Sequence, residues 1–270
     1  MKKVTQHSYQ TLALQQSDAV LTVTLNRPDK KNAMSFTMVD ELIAVAKQIR
    51  QQKDIRAVIL TGAEQTFCAG LDLSDLNNPK NQLFAAWELI KPWQSLFQKV
   101  CLVWRDVPVP VIAALQGHCL GAGLQLALAA DIRIATPECQ LAVMEAKWGL
   151  VPDMGLTQSA LGVVGADVLK ELAMSARIIQ GDEAKQLGLV THIDTEPMAH
   201  AQQLADELLS RSPDAVLASK RVINRMYAQS ACTLYQEKMW QLKLMLGYNR
   251  KLALKKAKDA ATTFRQRQFH

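Results

Sequence analysis

No apolar run in this chain reaches the roughly 18 residues that a membrane-crossing helix requires, so no membrane association is expected. The N-terminal "MKKVTQHSYQ" carries two lysines with no apolar stretch behind them, unlike a secretory signal. Cysteine is scarce. Five residues (Cys68, Cys101, Cys119, Cys139 and Cys232) form no C-x-x-C pair and no metal-like cluster with the five histidines. An odd, scattered set predicts reduced thiols, a cytoplasmic setting and no metal site. A Walker motif, low-complexity tracts and internal repeats of fixed period are also missing.

What is present is ordinary in bulk and uneven in charge. The 270 residues suffice for one large domain or a domain with an appendage, and 49% apolar with 21% charged residues suits a soluble globular chain. The net charge of +6 is concentrated at one end. From Asn249 onward, seven Lys or Arg (Arg250, Lys251, Lys255, Lys256, Lys258, Arg265 and Arg267) face one acid, Asp259, which gives 7 − 1 = +6 and leaves residues 1–248 neutral. Such an end either meets phosphate, on a nucleic acid or a cofactor, or is a solvated helical surface.

Residues 20–25 ("VLTVTL") read as a strand, 36–51 as a helix, and 55–62 ("IRAVILTG") as a buried strand. A helical stretch over 82–106 precedes a strand at 109–115, a glycine-opened helix at 121–130 and a strand "IRIATP". This alternation predicts an α/β fold. Beyond Pro152 the pattern turns helical, over 156–174, 182–187, 197–210 and 213–228 and then toward 260. The expected division is a sheet-bearing domain over 1–200 and a helical region over 201–270.

The stretch "GAGLQLALAADIR" (121–133) opens on glycine after a strand and carries one amide, Gln125, among apolar residues. Strand, glycine turn and helix together present unpaired N–H groups and the positive end of a helix dipole to one point. The spacing is not a dinucleotide fingerprint, since position 126 is leucine. Close helix packing is the competing explanation of Gly121-x-Gly123. "FCAGLDL" (67–73) is a second turn of this kind, and two such turns can supply the paired donors of an oxyanion hole. Glu145 and Asp153 lie in "LAVMEAKWGLVPDMG"; a carboxylate in apolar surroundings has a raised pKa, which suits proton transfer near neutrality. A surface ion pair of Glu145 with Lys147 or Arg133, and a turn or cap role for Asp153, are the alternatives.

Jointly, "LNRPDKKNAM", "FCAGLDL", "VPVIAALQGHCLGAGLQLALAADIRIATP", "MEAKWGLVPDMGLTQ" and "AKQLGLVTHI" resemble the crotonase (enoyl-CoA hydratase/isomerase) superfamily over about residues 20–195, and "SPDAVLASKRVIN" matches its C-terminal helical start. The resemblance implies a repeated ββα spiral with a helical C-terminal trimerisation region, assembled as a homotrimer or a dimer of trimers. It implies an acyl-CoA thioester substrate, coenzyme A being part of that substrate with no further cofactor. The oxyanion-hole donors fall on the backbone N–H groups of Leu71 and Ala122, where the family usually has glycine at the second position. The catalytic set falls on Glu145, Asp153 and Gln125. Coenzyme A or substrate contacts fall on Lys31, Ala33, Ala69, Gly70, Asp72, Leu73 and Gly121, with Lys31 or Arg27 reaching a phosphate and the basic tail adding charge. Trp87, Trp93, Phe97 and Trp104 either shape an acyl pocket or pack in the core. Hydratases of the family carry a glutamate at position 125, and an amide cannot exchange a proton at ordinary pH. Its dienoyl-CoA isomerases carry acids at 145 and 153 and an aspartate at 125. The expectation is therefore double-bond isomerisation, with hydration of a 2-enoyl-CoA as the alternative; RNA binding through the tail ranks behind both.

Overall fold

A computed structural model describes residues 9–76, 79–226, 243, 246–256 and 258–269 of the chain. Strands β1 (Leu12–Ser17) and β2 (Val20–Leu25) form an antiparallel hairpin whose turn residue Asp18 takes φ +50°. Helix α1 (Phe36–Gln51) starts at Ser35, whose Oγ accepts the Met38 N–H at 3.2 Å, satisfying one of the unpaired donors of the first turn. Its Val39, Leu42, Ile43, Ala46 and Ile49 recur at helical spacing and are buried. Strand β3 (Ala57–Gly62), the short helix α2 (Leu73–Leu76), α3 (Pro79–Ile90) and α4 (Leu96–Arg105) follow. After them come β4 (Val111–Leu115), β5 (His118–Leu120), α5 (Ala122–Leu128), β6 (Ile132–Ala135) and β7 (Gln140–Ala142). The chain continues through α6 (Leu156–Ser159), α7 (Ala166–Ser175), β8 (Ile179–Gln180), α8 (Gly181–Gln186), β9 (His192–Ile193), α9 (Pro197–Leu209) and α10 (Pro213–Ile223), and Tyr248–Lys256 is a further helix.

A six-stranded sheet has the order β1-β2-β3-β4-β6-β9, parallel from β2 onward. Both faces are covered. Val58 and Leu60 of β3 with Val111, Ala113 and Leu115 of β4 join the main core. The alternate residues Ala57, Ile59, Ile112 and Ala114 join a second cluster with Ala201 and Ala205 of α9. Period-2 alternation between two apolar layers is what makes these strands read as continuous hydrophobic runs. A three-stranded sheet, β5-β7-β8, forms a second row beside the first.

That row explains the winding of the chain. Strands β2, β3, β4 and β6 of the large sheet are each followed by a short extended piece, and those pieces pair with one another: Met34 with Leu71, Cys68 with Cys119, and β5 with β7. The α/β expectation holds, and the C-terminal portion extends it. The boundary expected near residue 200 lies inside α9, which packs onto the sheet. Helix α10 is bolted down by Lys220, whose Nζ donates to Val109 O (2.9 Å) and pairs with Asp131 Oδ2 (2.6 Å). The basic tail folds back as well. Arg267 is buried and donates to Ile55 O and Arg50 O, while Asp214 accepts the Gln268 N–H.

Several boundaries differ from the sequence reading. The helical stretch over 82–106 is two helices: proline at 92 cannot continue α3, and a reciprocal Ser95–Gln98 capping box starts α4. The stretch over 156–174 is likewise split, between α6 and α7, by Gly162 at φ +78°. The helix expected over 213–228 is observed to Ile223, and residues 227 onward, including Cys232, fall outside the described residues until Lys243. Strand β3 begins at Ala57, two residues later than expected.

Candidate active site

Register in the second row builds the site. Cys68 pairs with Cys119 in parallel, and Cys119 pairs with Leu141 in parallel. Three residues beyond each of these lie Leu71, Ala122 and Met144, and Glu145 follows. Three successive turns of the chain thus deliver two main-chain amides and one carboxylate to neighbouring positions. The Gly121 N–H donates to Ala142 O at 2.9 Å, and a Cβ on Gly121 would stand 3.5 Å from Glu145 Oε1.

The glycines at this turn have separate reasons. Gly121 takes φ +50° and ψ −117°, a region that side-chain-bearing residues avoid. At Gly123, a Cβ would come within 2.7 Å of both Cys68 Cβ and Cys68 O, so glycine is there for close packing. The packing reading therefore accounts for Gly123 and not for Gly121. Between them, Ala122 is the first residue of α5; its N–H, like that of Leu71, donates to no other backbone group among the described residues. At Gly70 (φ +111°) a Cβ would stand 3.4 Å from Leu120 O.

Gln125, one turn into α5, is 1% exposed, and its amide orientation is dictated. The Met154 N–H donates to Gln125 Oε1 (3.0 Å), and an N–H can only donate, so the amide turns its NH2 toward Glu145 and donates to Oε1 at 2.7 Å. The other carboxylate oxygen, Glu145 Oε2, is buried with no hydrogen-bond partner. Burial pushes the Glu145 carboxyl above the usual carboxylate range; the Gln125 N–H draws it down and the charge of Asp153 raises it further. The ion pair of Glu145 with Lys147 or Arg133 is not what is seen: Arg133 Nε and Nη1 donate to Leu189 O and Ala130 O.

Asp153 keeps much of its surface open, yet the protein around it withdraws enough water to raise its carboxyl as well. It borders a cavity of about 550 Å³ whose wall includes Lys91, Trp93, Gln98, Thr157 and Gln158. A larger hollow of about 680 Å³ lies between the C-terminal end of α5 and α10 and touches none of the expected site residues. The four aromatic residues weighed for an acyl pocket divide: Phe97 and Trp104 are buried in the core, whereas Trp87 and Trp93 are exposed.

The two expected coenzyme-A loops are neighbours, since the Ala69 N–H donates to Lys31 O at 3.0 Å and the Met34 N–H to Gly70 O at 2.8 Å. Lys31 is exposed beside them, and its charge helps hold His118 below its usual pKa, after burial as the larger cause. Arg27 is engaged elsewhere: Nη2 lies 2.8 Å from Asp72 Oδ2, and Nη1 donates to Ala33 O at 2.6 Å. Asp72 also accepts the Ser74 N–H and Oγ–H; burial raises its pKa, but Ser74 and Arg27 more than offset this and hold it below the ordinary value. Sequence reasoning did not find the link from Met154 to Gln125 or that from Arg27 to Asp72, because each joins residues far apart in the chain. The four described cysteines are buried free thiols, and burial raises Cys68 to about 11 and Cys139 to about 12. Among the described residues no helix is long and apolar enough to cross a membrane.

Comparison with known proteins places the chain in a family. Residues 15–261 match the family model for enoyl-CoA hydratase/isomerase. The chain is 37% identical over 239 residues to the mitochondrial Delta(3,5)-Delta(2,4)-dienoyl-CoA isomerase of Mus musculus, covering 84% of this chain and 72% of that one. It superposes on an enoyl-CoA hydratase from Bacillus anthracis with a TM-score of 0.86 and 29% identity, over 95% of this chain and 99% of the other. A putative enoyl-CoA hydratase from Thermobifida fusca, solved with acetoacetyl-CoA, matches with a TM-score of 0.77 and 32% identity over 87% and 94% of the two chains. With a family match over residues 15–261 and a fold shared with enoyl-CoA hydratases, the chain belongs to the enoyl-CoA hydratase/isomerase family.

Proposed function

We propose that this protein shifts a carbon–carbon double bond in an enoyl- or dienoyl-CoA, using Glu145 as its base. The thioester oxygen sits between the Leu71 and Ala122 N–H groups. Glu145 Oε2 takes a proton from the carbon α to the thioester carbonyl, and the electron pair of that C–H bond moves toward the oxygen to give an enolate. Two donors aimed at that developing charge supply about 3 kcal/mol each in the transition state. The proton returns to a carbon further along, C4 in a 3-enoyl thioester, and the double bond comes to lie between C2 and C3. In a 3,5-dienoyl thioester the return is to C6, and Asp153, which lines a cavity of about 550 Å³, is the acid assigned to that end.

The observation that carries this reading is the state of Gln125. Its oxygen is occupied by the Met154 N–H and its NH2 by Glu145. Hydration requires a proton to be given and a water to be activated across one double bond, and position 125 can do neither. Glu145, with one uncommitted oxygen, suits a proton carried from carbon to carbon. Assembly as a homotrimer or dimer of trimers belongs to the same reading, supported by the exposure of Trp148, Leu150, Val151 and Leu161.

The test is turnover of 3-enoyl-, 3,5-dienoyl- and 2-enoyl-CoA by the purified protein. Isomerisation is expected to exceed hydration, and Glu145→Gln to cut both steeply. Faster hydration than isomerisation, or full activity of Glu145→Gln on every thioester, overturns the assignment.

A further inference from the structure

We propose that Arg27 and Asp72 form a clamp that positions the Leu71 amide, and that the pair therefore acts on the enolate rather than on coenzyme A. The proposal rests on the reading of Leu71 as an oxyanion donor. Leu71 sits in the one-residue bridge to Met34: the Met34 N–H donates to Gly70 O (2.8 Å), and the Asp72 N–H donates to Met34 O (2.9 Å). These bonds use the groups on either side of Leu71 and leave its own N–H turned away from Met34. So short a bridge, entered through Gly70 at φ +111°, has little intrinsic stiffness.

Arg27 spans both sides of that bridge. One arm of its guanidinium donates to Ala33 O, next to Met34, and the other meets the carboxylate of Asp72, next to Leu71. The second contact lies off the N–H direction, so it acts as an ion pair more than as an aligned hydrogen bond. Asp72 is 8% exposed, and Ser74 holds its other oxygen. Arg27 is itself fixed from behind, because its backbone N–H donates to Asn32 Oδ1 while the fully buried Asn32 donates to Ala63 O and Thr66 O in the turn after β3. An unbroken set of contacts thus runs from that turn to the residues flanking the Leu71 amide. The planar fork of arginine reaches two acceptors at once, which lysine cannot reproduce.

Because donor placement matters only where charge develops, loosening the clamp should spare ground-state binding. The experiment compares wild type with Asp72→Asn, Arg27→Met and the double variant in the full-length protein. It reads kcat and KM on the best thioester, the Kd of butyryl-CoA, and the enolate absorbance of bound acetoacetyl-CoA. Expected is a loss of about tenfold to 100-fold in kcat, a matching loss of enolate absorbance, KM and butyryl-CoA Kd within about threefold, and a double variant no worse than the worse single one. Arg27→Lys, which keeps the charge but one arm fewer, should fall between and remains informative if a neutral variant fails to fold. Unchanged kcat and enolate absorbance overturn the clamp while leaving the oxyanion reading intact. Weaker butyryl-CoA binding at constant kcat also overturns it, returning Asp72 to coenzyme-A binding. Absence of enolate absorbance in wild type overturns the oxyanion reading, and the clamp with it.

Discussion

Replacing Gln125 by leucine keeps the size of the side chain and removes two hydrogen bonds with different consequences. The bond from Nε2 to Glu145 Oε1, at 2.7 Å, favours the ionised carboxylate. A hydrogen bond to a charged group is worth about 1.5–3 kcal/mol. Its loss should therefore raise the Glu145 pKa further, in the direction burial already moves it. The base works ionised, so the acid limb of kcat/KM against pH moves upward in Gln125→Leu. The second bond, from Met154 N–H to Gln125 Oε1, lies in a buried setting. Stranding that N–H costs about 1–3 kcal/mol of stability, read by urea denaturation. Gln125→Glu keeps an acceptor for Met154, and should retain most of the stability while placing a second carboxylate beside Glu145. Two acids in contact then titrate as a pair, one holding a proton, which also supplies the missing proton donor for hydration. An acid limb unmoved in Gln125→Leu would mean either that Glu145 is not the base or that the amide does not govern it, and the mechanism above would fall.

Further expectations can be checked together. Glu145→Gln should lower kcat/KM about 10²- to 10⁴-fold in the isomerase assay. The same variant tests a stability sign: the folded pKa of Glu145 is raised, so its favourable contribution is complete below its unfolded pKa and lost as pH rises through the folded one. Glu145→Gln should accordingly melt above wild type at neutral pH, with the advantage vanishing below about pH 4. Gly123→Ala drives a methyl into Cys68 and should cost about 1–3 kcal/mol in denaturant titrations, with activity falling further because Ala122 shifts. Lys220→Ala leaves Asp131 facing α10 without its buried cation and should cost about 3–5 kcal/mol by the same measurement.

The large sheet was legible because β2, β3 and β4 carry enough consecutive apolar residues to announce themselves. The second row was not. Strands β5 and β7 have three residues each and β8 two, too few for any period to show, and their pairing is decided by how the preceding parallel strands lie. The split between α3 and α4 was hidden for another reason: apolar spacing runs on through Pro92, and only the Ser95–Gln98 box marks a new start. The basic tail read as either a phosphate-binding end or a solvated surface because a sequence shows Arg267 without showing Arg50 O and Ile55 O, the carbonyls that receive it.

The site residues were visible as types, while what they do to one another came from the register. "FCAGLDL" and "HCLGAGL" both place Cys-x-x ahead of the amide in question, so pairing Cys68 with Cys119 brings Leu71 and Ala122 into matching positions. The next strand repeats the step from Leu141 and brings Glu145 to Gly121. A spiral that pairs equivalent residues on successive turns stacks whatever follows them, and function then depends on which side chains those turns carry. Here the middle turn carries Gln125, held at both ends. On the proposed reading, the same backbone with an acid at that position would put a further titrating group beside Glu145. On that reading, the choice between moving a proton along the substrate and adding water to it rests on a side chain that the fold places but does not specify.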